Sequence, residues 1–122
     1  MTSKDLSMKI ANILDDRKAI DIKIIEVAEL TSITDYFVIC YATSSTHVKA
    51  LADHVSDTVR EDCGIKPKNI EGFSGGNWVL CDYGDIVVHI FIEDMYTFYD
   101  LARLWRDGKE IELIKEPESN EL

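Results

Sequence analysis

The sequence predicts a single-domain α/β protein of the α+β kind, a mixed β-sheet of about five strands flanked by helices. Three observations predict it. The apolar run DYFVICY leads into hydroxyl residues and then a helical stripe, which is the pattern of a strand followed by a crossover helix. Two further runs of strand composition, WVLCD and IVVHIFI, meet at a short turn containing glycine. At 122 residues, 46% of them apolar, the chain can bury one core without disulfides or a structural metal.

The elements follow in order. Thr2 or Ser3 can cap a first helix in which Leu6, Ile10, Ile13 and Leu14 recur at helical spacing. Residues 20–27 read as a strand with partial alternation, and residues 35–41 as a strand buried on both faces and therefore central. Thr43, Ser44 and Ser45 offer caps for a second helix whose Val48, Leu51, Ala52, Val55 and Val59 share one face, with Gly64 at its C-terminal end. A short strand is expected within 65–73, then a loose Ser-Gly-Gly loop, the hairpin, and one last helix over 94–106. The chain thus divides into a folded part, 1–106, and an acidic, disordered tail, 107–122, in which six acids and two lysines show no sustained periodicity.

Charge narrows the function classes. With 23 acids against 13 bases the net charge is −10, so the chain lacks the cations that neutralise phosphate backbones, and little direct nucleic-acid contact is expected. A basic protein partner would be attracted by the same field. The three cysteines, Cys40, Cys63 and Cys81, are odd in number and lack CxxC spacing, which fits a reducing cytoplasm. Neither a signal peptide nor a membrane span is legible, so a cytoplasmic protein without membrane contact is expected.

The hairpin carries the candidate site. With Tyr83 and Gly84 as its central residues, Asp82 pairs with Asp85, Cys81 with Ile86, Leu80 with Val87, Val79 with Val88 and Trp78 with His89. Alternation then makes Val79, Cys81, Ile86, Val88 and Ile90 a core face, and places Trp78, Leu80, Asp82, Asp85, Val87 and His89 on the other. In the last helix, Met95, Tyr96, Phe98, Tyr99, Leu101, Leu104 and Trp105 cover more than the single stripe that packing on a sheet requires. Trp105 and Tyr99 are of the types that anchor interfaces, whether with a partner or a second copy.

Catalytic patterns are weak by comparison. Asp82 with Asp85, or Glu93 with Asp94, could hold Mg²⁺ beside a nucleotide, and the Ser44–Ser45 helix start could receive a phosphate, as in a nucleotidyltransferase. Against this, no strand carries two acids at alternate positions, and GFSGGN has neither a P-loop lysine nor the GxGxxG order. His47, His54 and His89 lack metal-ligand spacing, GxSxG is absent, and a strand cysteine would need exposure and activation to act as a nucleophile. Neither cofactor nor metal is expected.

The segments TSITDYFVIC, TSSTHVKALADHV and above all NWVLCDYGDIVVHIF followed by FYDLARLW resemble the ribosomal silencing factor family, also called RsfS or Iojap, over about residues 5–106. The resemblance implies a fold similar to nucleotidyltransferases but without their catalytic acids. It also implies a protein that is not an enzyme: one that binds the large ribosomal subunit through its protein number fourteen, blocks joining of the small subunit and represses translation when nutrients are scarce. The positions it implies at that contact are Trp78, Asp82, Tyr83, Gly84, Asp85, His89, Tyr99, Leu104 and Trp105, and it permits a homodimer. The chain departs from the family pattern at Ala42, Thr46, Tyr96 and Ala102, where glycine, arginine, a basic residue and an acid are usual. A nucleotide-transferring enzyme and a homodimeric scaffold are the alternative classes.

Overall fold

A computed structural model describes residues 1–116. Thr2 opens the first helix with a reciprocal cap: its hydroxyl accepts from the Asp5 amide at 3.1 Å, and the Asp5 carboxylate accepts from the Thr2 amide at 3.1 Å. The helix, α1 (Ser3–Asp16), buries the expected Leu6, Ile10, Ile13 and Leu14. Two antiparallel strands follow, β1 (Ile20–Glu26) and β2 (Tyr36–Ala42), with an irregularity in β1 between Ile20 and Lys23. In α2 (Ser45–Cys63) the Ser44 hydroxyl accepts from the His47 amide at 3.1 Å, and Gly64 terminates the helix at φ 67°, a conformation that costs glycine little.

After β3 (Asn69–Glu71) come the hairpin strands β4 (Trp78–Asp82) and β5 (Ile86–Ile92), two short helices, α3 (Glu93–Tyr99) and α4 (Leu101–Leu104), and a last strand, β6 (Lys109–Ile111). The strands form one six-stranded sheet in the order β3-β4-β5-β2-β1-β6, in which only the β2–β5 pair is parallel. Those two interior strands read as near-continuous apolar runs because helices cover both faces. On one face, α1 and α2 enclose the main core, including Ile10, Leu14, Val38, Cys40, Leu51, Val55, Val88 and Ile90. On the other, α3 and α4 cover a smaller cluster built on Ile25, Val27, Ile39 and Phe91.

Three expectations need correction. The hairpin turn is Gly84-Asp85 and not Tyr83-Gly84: the Tyr83 amide donates to the Ile86 carbonyl at 2.8 Å, and Trp78 pairs with Phe91, Leu80 with His89 and Asp82 with Val87. Gly84 has φ 87° while Asp85 does not have a positive φ, the pattern of a type II′ turn that takes glycine first. Because each strand residue moves by two along its partner, the side chains keep the faces expected of them.

The last helix is broken. Asp100 adopts the left-handed conformation, φ 49° and ψ 53°, and closes α3 with its amide on the Tyr96 carbonyl at 3.0 Å. Beyond the break, Leu101, Ala102 and Trp105 pack on the same cluster as Met95 and Tyr96 of α3.

The third correction concerns the expected tail. Its first part supplies the sixth strand, β6, antiparallel to β1, and residues 112–116 then cross α1. The buried Asn12 amide pins them: Nδ2 donates to the Ile114 carbonyl at 3.0 Å and to the Met8 carbonyl at 3.1 Å, and Oδ1 accepts from the Glu116 amide at 2.9 Å. Lys115 adds an ion pair to Asp15 at 2.9 Å. Residues 117–122 of the expected tail lie outside the described residues. Asn12→Ala is expected to cost about 1–2 kcal/mol, since partners stranded by a lost hydrogen bond must be resolvated. Hydrogen exchange at the Glu116 amide should accelerate with it; an unchanged rate would show that the clamp does not hold the segment.

Candidate functional site: an aromatic face on the second side of the sheet

The smaller cluster is a lattice of rings. Trp78 stacks on Phe91 with centroids 4.8 Å apart and meets Tyr99 at 4.8 Å, while its Nε1–H donates to Nδ1 of His89 at 3.2 Å. Phe37 stands edge-on to His89 at 4.9 Å and to Trp105 at 5.1 Å. Tyr96 leans on Tyr41 at 4.6 Å and donates its hydroxyl to the Asp21 carboxylate. Offset and edge-to-face pairs of this kind add stability beyond their buried area, so the face is rigid as well as apolar.

The structure divides the nine expected site residues into two groups. Trp78, His89, Tyr99 and Trp105 meet on this face and Leu104 lies beside Tyr99 at its outer edge, but Trp78 and Trp105 are half-buried within it and not free anchors. His89 is deeper still, 5% exposed, and cannot present itself to a partner across the roof of Trp78. The remaining four sit at the hairpin end. Asp82 is occupied by the turn, its Oδ1 accepting from the Gly84 amide at 2.7 Å, and Asp85 accepts from the Ser3 hydroxyl at 3.2 Å. Tyr83 packs on the main-core side, beside Met1, Leu6 and Ile65, and burial raises its phenol well above the ordinary range.

Burial holds the His89 imidazole neutral, lowering its pKa from 6.5 to about 4. Between those values the unfolded chain binds a proton that the folded one refuses, so stability rises with pH across the window. The contribution is complete above pH 6.5 and is lost as pH falls towards 4; at 1.36 kcal/mol per unit it amounts to about 3 kcal/mol. Urea unfolding at pH 7 and pH 4.5 checks this by comparing wild type with His89→Asn, whose stability should fall less steeply over the same interval.

What faces solvent is the outer rim of α3 and α4. Phe98 is 78% exposed and Leu104 69%, and with Tyr99 they line a shallow groove of about 350 Å³ edged by Asp100, Arg103 and Arg106. The edge is thus mixed in charge, and Asp82 and Asp85 lie away from it at the hairpin end. Phe98 was legible as part of an over-wide apolar helix but not as the most exposed ring of the face, because that depends on the break at Asp100.

The three histidines do not converge. His47 donates its Nε2–H to the Arg17 carbonyl at 2.8 Å, His54 contacts Thr58 at 3.4 Å, and His89 lies on the opposite side of the sheet, beside Phe91 and Trp78. Among the described residues no three His, Cys, Asp or Glu side chains converge as a metal site would require. Burial pushes the Cys81 thiol up to about 12 and Cys40 higher, which leaves both as core hydrophobes. No helix among the described residues is long and apolar enough to cross a membrane.

The model of a protein family described as "Ribosomal silencing factor during starvation" matches residues 1–121. The chain belongs to that family. Among its relatives, "Ribosomal silencing factor RsfS" of Bacillus subtilis is 38% identical over 108 residues, covering 88% of this chain and 91% of that protein. "Mitochondrial assembly of ribosomal large subunit protein 1" of Mus musculus is 31% identical over 103 residues, covering 83% of this chain and 45% of that longer protein. A crystal structure of a Chromobacterium violaceum protein superposes with a TM-score of 0.83 at 31% identity, covering 95% of each chain. At Tyr96, a position where the resemblance implied a basic residue, the phenol donates to Asp21, beside the Lys23–Asp21 ion pair at 3.4 Å. Burial and that bond raise the Tyr96 phenol well above its ordinary value, so it remains a donor.

Proposed function

We propose that this chain docks on the large ribosomal subunit through its protein number fourteen and, by its bulk, prevents the small subunit from joining, repressing translation under nutrient limitation. The observation that carries the proposal is the rigid aromatic face whose solvent edge is Phe98, Tyr99 and Leu104, on a chain of net charge −10. Exposed rings backed by a packed lattice are what a desolvated interface centre requires, and the negative field favours approach to a basic protein over bare RNA. The family description and the name of the mouse relative agree with a ribosomal partner, in the latter case of the large subunit. Blocking needs no catalysis: a compact domain of this length projects roughly 25–30 Å from its docking site, by compact-domain scaling.

The test has two stages. Purified protein should co-sediment with large subunits and cross-link chiefly to one small basic subunit protein, and large subunits so loaded should fail to form full ribosomes when small subunits are added at high Mg²⁺. Cross-linking to rRNA alone, or binding that leaves subunit joining intact, would refute the proposal.

A further inference from the structure

Inside the docking face one buried group has an unspent hydrogen-bonding atom. Nδ1 of His89 accepts from the Trp78 indole N–H, which can only donate, so the neutral ring carries its proton on Nε2. Nε2 is buried and has no partner among the described residues. An orphaned donor in an apolar site is unfavourable, and an aliphatic side chain would fill the position without it. What an aliphatic side chain cannot do is hold Trp78. The residue directly opposite Trp78 on β5 is Phe91, and His89 is its diagonal neighbour, so strand pairing alone does not dictate the indole's orientation.

We infer that His89 is a positioning residue for the docking face: its unprotonated Nδ1 fixes the indole of Trp78 over Phe91 and against Tyr99, and losing that acceptor, by substitution or by protonation, releases the indole and weakens docking. The inference rests on the docking role proposed above. Tyr99 is the link to the surface, since it touches Trp78 at 4.8 Å and Phe98 at 5.1 Å, so a swung indole removes the inner support of the exposed rings. Protonation would set two N–H donors against each other. The groups around the imidazole are Phe37 and Ile39 on β2, Trp78 and Leu80 on β4, and Phe91 on β5, with Tyr99 of α3 and Trp105 beyond α4 reached through Trp78 and Phe37. Of these only Tyr99 carries a titratable group and none is charged, which agrees with burial as the sole cause of the depressed His89 pKa.

Two variants separate acceptor from mere filler. In His89→Asn the side-chain oxygen can take the place of Nδ1, whereas His89→Leu fills volume and offers no acceptor. Both are expected to melt below wild type. In the folded protein at pH 7, the Trp78 indole N–H resonance, assigned through its contacts to Phe91, should stay near its wild-type position in the asparagine variant and shift in the leucine variant. Affinity for purified large subunits should be within about threefold of wild type for asparagine and fall about tenfold for leucine, the worth of one buried hydrogen bond. In wild type the same resonance should titrate with a midpoint well below that of an ordinary histidine. An indole resonance that does not move over that titration while the fold persists, or a folded leucine variant that binds as tightly as the asparagine one, overturns the inference. If wild type itself does not bind large subunits, the proposed function fails, and the titration still decides whether His89 positions Trp78.

Discussion

Replacing Phe98 and Leu104 together by arginine is expected to abolish co-sedimentation with large ribosomal subunits while leaving the melting temperature within a few degrees of wild type. Both side chains are largely in water, 78% and 69% exposed, so their removal takes little from the core, and surface substitutions of this kind stay within about 0.5 kcal/mol. The new guanidinium in place of Phe98 would also sit in the last turn of α3, where a cation is favoured by the helix dipole. At an interface the balance reverses: central apolar anchors are worth about 2 kcal/mol or more each, and a guanidinium facing a basic partner adds repulsion. A loss of at least about a hundredfold in affinity follows, allowing for non-additivity between neighbours. Circular dichroism and sedimentation on the same preparation check it; a folded double variant that still binds moves the docking site elsewhere. Trp78→Ala is a poorer probe. Its indole is part of the lattice, so lost binding would not separate contact from collapse.

How much of this was legible in the sequence follows from the range of the interactions concerned. Caps and stripes are local, and Thr2, Ser44, Gly64 and the buried faces of α1 and α2 fall where helical periodicity places them. The two hairpin faces were legible because alternation is insensitive to a slip of two residues, although the turn itself lies one residue later than Tyr83-Gly84. The break at Asp100 was hidden, since an aspartate in the left-handed region carries no signal within an otherwise helical run. The docking of β6 and residues 112–116 was hidden too: charge-rich composition resembles disorder, and what holds the segment is Asn12, about a hundred positions away in sequence. The site suffered from the same gap. Strand parity puts Trp78 and His89 on one face, but only the tertiary cover from α3 and Phe37 makes His89 buried and leaves Phe98 outside.

Two phenylalanines seven residues apart test that layered description, because the same substitution should give opposite results. Phe91 is fully buried, with Trp78 stacked at 4.8 Å and the rings of His89, Tyr96 and Tyr99 within 6.4 Å. Phe91→Ala leaves a cavity that the neighbouring rings cannot close without giving up their own contacts, and costs about 3–5 kcal/mol. Against a total stability of about 5–15 kcal/mol that is enough to leave the variant partly unfolded at growth temperature. Phe98→Ala, at a position where Tyr99 is the neighbouring ring, should cost under about 0.5 kcal/mol yet weaken docking. Urea unfolding of the two variants decides between a rigid platform and a loose aromatic surface. If Phe91→Ala costs less than about 1 kcal/mol, the second face is no core, and neither the fixed indole nor the exposed rings would have the support that docking requires.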